Sequence, residues 1–137
     1  MRKITKTLLI PILTLIMCFS ATSINASAAG IQPRLSHVMG VDFSFTASES
    51  GGRTLITCYG YDSFERVDVN VKLQKRFLLV FWTDVDEWNA SSTDPNALLT
   101  HVFTLNGTGT YRATFTVNVT GSDGTVDVIT ETIESKY

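Results

Sequence analysis

A period of two governs this chain. Val67-Asp68-Val69-Asn70-Val71-Lys72-Leu73-Gln74 sets apolar residues on one side and polar residues on the other, and Tyr111-Arg112-Ala113-Thr114-Phe115-Thr116-Val117-Asn118-Val119 repeats the pattern. Successive side chains of an extended strand point to opposite faces, so the alternation predicts strands with one buried face. Shorter alternations lie in 41–45 and 54–61. Apolar segments at 77–82, 98–105 and 125–133 bring the expected number of strands to about seven. Glu49-Ser50-Gly51-Gly52, Asn106-Gly107-Thr108-Gly109 and Gly121-Ser122-Asp123-Gly124 supply the glycine and asparagine that tight turns need. Residues 89–95 predict a longer polar loop, and no stretch sustains a helical period. The expected fold is all-β: an antiparallel two-sheet sandwich of about seven strands with little or no helix.

The first 28 residues follow a different logic. Arg2, Lys3 and Lys6 precede the apolar run 8–17, and Ala26-Ser27-Ala28-Ala29 offers a small-residue cleavage site after Ala28. That order is the mark of a secretory signal peptide. A retained membrane helix is the poorer reading, because Pro11, Thr14, Ser20, Thr22 and Ser23 interrupt the apolar stretch. Lipid attachment at Cys18 is also disfavoured, since Met17 stands where a lipid box wants a small residue. The expected layout is a cleaved signal over 1–28, an extended segment over 29–37 and a sandwich over 38–137. The expected location is extracellular, with cell-wall association left open.

Cleavage leaves 109 residues, enough for one domain and too few for two. It also removes three cations, leaving 8 basic against 13 acidic residues and a net charge of −5. So acidic a domain, without basic clusters, has no electrostatic footprint for nucleic acid. It also lacks the basic face that draws proteins to anionic lipid, so no membrane partner is expected once the signal is gone. Cys58 is then the sole cysteine, which excludes an internal disulfide.

Gly109-Thr110-Tyr111-Arg112-Ala113 resembles the tyrosine-corner region of an immunoglobulin-like sandwich, where a tyrosine stands two residues before the second cysteine of the core. Here Ala113 takes that cysteine's place and Cys58 falls on the second strand, so the resemblance implies an immunoglobulin-like core without its disulfide. Cys58 is then expected as a small buried hydrophobe. Gly30-Ile31-Gln32-Pro33-Arg34, Thr57-Cys58-Tyr59-Gly60-Tyr61, Leu73-Gln74-Lys75 and Gly109-Thr110-Tyr111-Arg112 follow in order. Together they resemble a group of small secreted β proteins of Gram-positive bacteria. That resemblance carries no activity and no site residues with it. The chain departs from the group in its apolar run 77–82 and its greater acidity.

Three features compete as candidate sites. Phe77-Leu78-Leu79-Val80-Phe81-Trp82 is apolar on both faces of the strand it predicts; it is either covered on both sides or a surface for self-association or a partner. Asp84, Asp86 and Glu87 beside Trp88 and Asn89 gather oxygen ligands that Ca²⁺ could use, but without the glycine and terminal glutamate of an EF-hand loop. A solvated loop is the simpler expectation, and no cofactor is expected. Trp82, Trp88, Tyr59 and Tyr61 are candidates for a sugar-stacking platform. His37 and His101 are isolated and far apart in sequence, so both triad and zinc readings are poor, and both are expected as ordinary surface or half-buried residues. Beyond the expected signal, Asn89, Asn106 and Asn118 each begin an Asn-x-Ser/Thr site, a pattern without meaning in the absence of the eukaryotic machinery.

The expected function is a secreted, non-catalytic binding module for an extracellular protein, a cell-wall polymer or a glycan, with Trp82, Trp88, Asp84, Asp86 and Glu87 as candidate contacts. The alternative is a structural or self-associating protein that uses 77–82 as an assembly edge. An enzyme is not expected.

Overall fold

The computed structural model describes residues 34–137; the expected signal peptide lies outside the described residues. Seven strands follow in order: β1 (Val38–Ser48), β2 (Gly51–Gly60), β3 (Phe64–Phe77), β4 (Phe81–Ser92), β5 (Leu98–Phe103), β6 (Thr110–Gly121) and β7 (Val126–Lys136). They form two antiparallel sheets, β1-β2-β5 and β4-β3-β6-β7. An immunoglobulin constant-type sandwich sets four strands against three, with its fourth strand in the same sheet as the first. In this chain the fourth strand stays beside β3, so three strands face four.

The alternation read from the sequence sets the core. Val67, Val69, Val71 and Leu73 of β3 and Tyr111, Ala113, Phe115, Val117 and Val119 of β6 are buried, facing Phe45 of β1, Ile56 and Cys58 of β2 and Phe103 of β5. β3 and β6 are the two inner strands of the larger sheet and are paired from Phe64↔Gly121 to Lys75↔Tyr111. Phe43 lies against Phe115 with ring centroids 5.2 Å apart, locking the sheets together near the centre. The sheets also meet at one edge, where Ala47 donates its N–H to the Ser135 hydroxyl at 2.9 Å.

The tyrosine corner is present. Tyr111 is fully buried, and its hydroxyl donates to the Gly107 carbonyl at 2.6 Å, tying the β5–β6 connection to the start of β6. Gly107 and Gly109 both take positive φ in this connection, which the glycines permit at little cost. Tyr111→Phe is expected to leave the packing intact but strand a carbonyl, lowering stability by about 1–2 kcal/mol in urea unfolding.

One strand differs from its sequence expectation. The segment 77–82 is not a strand of its own. β3 runs to Phe77, the chain reverses through Leu78-Leu79-Val80, and β4 begins at Phe81. β4 then carries through Asp84–Asn89, expected as a strand end or loop, and on to Ser92, halfway through the loop expected over 89–95. The reversal leaves no mark in the sequence, because it contains no glycine, proline, asparagine or aspartate, the residues that signal turns. Instead, Leu78 and Leu79 themselves sit at φ 49° and 67°.

Candidate functional site

β3 and β4 are longer than the sheet that holds them. β6 stops pairing with β3 at Lys75, whereas the β3–β4 pairing continues through Arg76↔Trp82 to Phe77↔Phe81. The last two pairs therefore form a two-stranded ribbon that extends past the sheet, ending in the turn. At the turn, Val80 donates its N–H to the Leu78 carbonyl at 2.8 Å, closing a tight three-residue loop around Leu79. A loop of this kind with positive φ at its centre is rare and strained.

Every side chain of the tip faces water: Phe77, Leu78, Leu79, Val80 and Phe81 are between 55% and 86% exposed, with Leu79 the most. Scattered exposed apolar residues are ordinary on protein surfaces. Five in succession on a projecting turn are not. The run that the sequence left open as covered or as a contact surface is uncovered.

Below the tip the ribbon is cationic. On the outer face, Trp82 lies against two guanidinium groups, with Arg76 4.8 Å and Arg112 4.2 Å from its ring centroid. Arg112 donates to the Gln74 side-chain oxygen at 2.7 Å, and Arg76 pairs with Glu134 at 2.8 Å. On the other side, Lys75 lies over the Tyr111 ring at 5.3 Å and donates to the Asn106 carbonyl. Lys75 and Arg112 have no ion-pair partner among the described residues. The net acidity of the chain thus hides a local concentration of positive charge around one end.

The sequence-predicted site residues do not converge. A bulge between Leu73 and Gln74 in the β3–β4 register leaves Val85 unpaired, which turns both Asp84 and Glu87 to the outer face, where each finds a β3 partner. Asp84 binds Lys72 at 2.9 Å and Gln74 at 2.6 Å. Glu87 accepts from the Asn70 amide, and Asp86 accepts the Glu87 N–H at 2.8 Å. Each carboxylate is thus engaged separately, and among the described residues no group of three metal-ligating side chains is placed to hold an ion. The hydrogen bonds from Lys72 and Gln74 hold the Asp84 carboxyl below its ordinary value of 3.8.

The aromatic platform is also dispersed. Trp88 turns inward, where it packs against the core and stacks on His101 at 4.9 Å with planes 10° apart. Trp82 lies on the opposite face of β4, and Tyr59 and Tyr61 belong to the end of β2 and the turn after it, near the other end of the sandwich. Four aromatics without a common face cannot stack on one sugar chain. His101 is held in place by this stack and by an edge contact with Phe103 at 4.6 Å.

His37 corrects another expectation. It is 3% exposed and brings together residues far apart in sequence. Its Nδ1 lies 3.1 Å from the Ser63 hydroxyl, its Nε2 lies 2.7 Å from the Thr125 hydroxyl and 3.5 Å from Asp123. Thr125 gives its own hydroxyl proton to Asp123 at 2.7 Å, so the Thr125 oxygen accepts from His37 and the Nε2 carries a proton. The backbone N–H groups of Ser36 and His37 both donate to Asp127, at 2.8 and 2.7 Å. A serine, a histidine and a carboxylate in contact resemble a nucleophilic triad, but the ring lies under its neighbours, packed on the backbone of Gly121. The arrangement clasps the segment before β1 to the β6–β7 turn.

Asp123 gives that clasp a pH dependence. Its carboxyl is held below the ordinary value of 3.8, mainly by the hydroxyl and N–H of Thr125. A carboxyl whose folded value is depressed contributes stability above its unfolded value and loses it as pH falls through the folded one. Stability is therefore expected to fall with acidification below about pH 4, and Asp123→Asn to flatten that fall, in denaturant midpoints measured across an acid series.

Cys58 behaves as the resemblance implied. It is buried on β2, without a disulfide partner, and burial pushes its thiol up to about 11. A thiolate is the reactive form. The folded protein is expected to resist alkylation of Cys58 at pH 8, and to react within minutes once unfolded, as read by mass spectrometry.

Comparison with known protein families, with curated proteins and with solved structures finds no match to this chain.

Proposed function

We propose that this is an exported, non-catalytic binding module that makes contact through the tip of the β3–β4 hairpin. The observation that carries the reading is the tip itself: five consecutive apolar side chains held in water on a strained turn. Folding gains nothing from leaving them uncovered, since apolar surface stabilises only when removed from water. Export rests on the charged, apolar and small-residue order of residues 1–28, and places the contact outside the cell. The same geometry favours an apolar target surface over a glycan, because the aromatics that would stack on sugar are apart.

The alternative reading, an assembly edge, has less support. The edge of the larger sheet is β4 below the tip, where Asp84, Asp86 and Glu87 and a bulge interrupt the row of free backbone groups. Charges and bulges on an edge strand discourage pairing with a second copy.

The test is recovery of the protein with intact Gram-positive cells. Wild-type chain is expected to sediment with the cells, and the Leu78→Asn/Leu79→Gly chain to stay in the supernatant. Equal sedimentation of both would remove the tip as the contact element.

A further inference from the structure

Resting on that reading of the tip, we propose that its target is the surface of a lipid bilayer carrying anionic headgroups. The hairpin dips its apolar turn among the acyl chains while the cations below it meet the phosphates.

Shape favours a bilayer. The tip is a convex knob on a two-stranded ribbon, and a fluid apolar medium receives a knob without any matching cavity. A second copy would need a complementary surface and more area. The five residues expose roughly 600 Å², against about 800 Å² that each partner buries in a standard stable interface.

The order of side chains along the ribbon matches the order of layers in a membrane. Leu78, Leu79 and Val80 lead, followed by the Phe77–Phe81 pair. Trp82, Arg76 and Arg112 come next on one face and Lys75 on the other. Tryptophan favours the level of the headgroups, where an amphipathic ring has one side apolar and the other wet. Lysine and arginine at that level attract anionic lipid. Charge and apolar surface here are arranged on one axis, in the sequence a bilayer requires.

The test places an environment-sensitive nitrobenzoxadiazole probe on the tip of the full chain, as Leu79→Cys in a Cys18→Ser background. The buried Cys58 stays unlabelled. A control carries the probe at Thr116→Cys, mid-strand on the outer face. Each is mixed with vesicles of phosphatidylcholine alone, or of phosphatidylcholine with phosphatidylglycerol. The tip probe is expected to shift to the blue and brighten severalfold with vesicles containing phosphatidylglycerol. The control probe is expected to stay water-like. Adding salt should weaken the response to anionic vesicles at least tenfold in lipid concentration. Adding Leu78→Asp should abolish insertion.

A tip probe that stays water-like with both vesicles would overturn the proposal. If cell recovery still depended on the tip, the binding reading would survive with a protein as the target. A blue shift that grows with protein concentration in the absence of lipid would also overturn it, in favour of a second copy. So would binding to anionic vesicles that the Leu78→Asp change leaves untouched, since charge alone would then account for it.

Discussion

Replacing Leu78 with Asn and Leu79 with Gly is expected to make this protein more stable, by about 1–2 kcal/mol. Most substitutions in a folded protein do the opposite. Leu78 and Leu79 are held at φ 49° and 67°, where the Cβ of an ordinary residue crowds its own backbone. Asparagine tolerates that conformation and glycine adopts it freely. Little packing is lost in exchange, because both leucines stand in water. Urea unfolding of the double variant should show a higher midpoint with an unchanged slope. A lower midpoint would mean that the leucines pack in solution and that the turn is a structural element. Together with loss of cell recovery, a gain in stability would mark the tip as a place where folding yields to function.

Gly121→Ala should lie at the other extreme. The added methyl would fall inside the imidazole of His37, far closer than real atoms approach, and the backbone behind it belongs to β6, an inner strand. The ring cannot retreat without giving up Ser63 and Thr125. The expected cost is about 3 kcal/mol, at the upper end of what overpacking produces. The cause is checked by the pair of substitutions. His37→Ala alone should be destabilising, since it removes the clasp, but in its presence Gly121→Ala should add little. Residues in direct contact show such non-additivity, and distant ones do not. Fully additive losses would show that the two residues do not meet.

The sandwich was legible because burial on a single face leaves its period in the residues. The alternation over Val67 to Leu73 and Tyr111 to Val119 marks the core-facing residues, and the tyrosine corner is what the resemblance of Gly109–Ala113 to an immunoglobulin-like strand implied. The hairpin tip was not legible, for a physical reason. Turns are recognised by residues that relieve backbone strain, and this turn keeps the strain. An apolar run without glycine reads as a strand, so the element that departs furthest from the rules is the one its residues conceal. Lys75-Arg76 and the Phe77/Phe81 pair, which flank Leu78-Leu79-Val80, are the signal that could have found it. The His37 cluster was hidden by distance along the chain: its partners Ser63, Asp123 and Thr125 are 26 or more residues away. The acidic residues misled in a simpler way. Asp84, Asp86 and Glu87 are neighbours in sequence, but a strand with a bulge sends them to different partners.

Cys58 and Ala113 carry one more consequence. Where a related architecture places a covalent bond between its sheets, this chain has a thiol facing the core on β2 and a methyl group on β6. Nothing that holds the two layers together depends on electrons being removed. The domain can reach its final form under reducing or oxidising conditions alike, with no folding catalyst for thiols. A reductant that would open an antibody domain should leave its melting curve where it was.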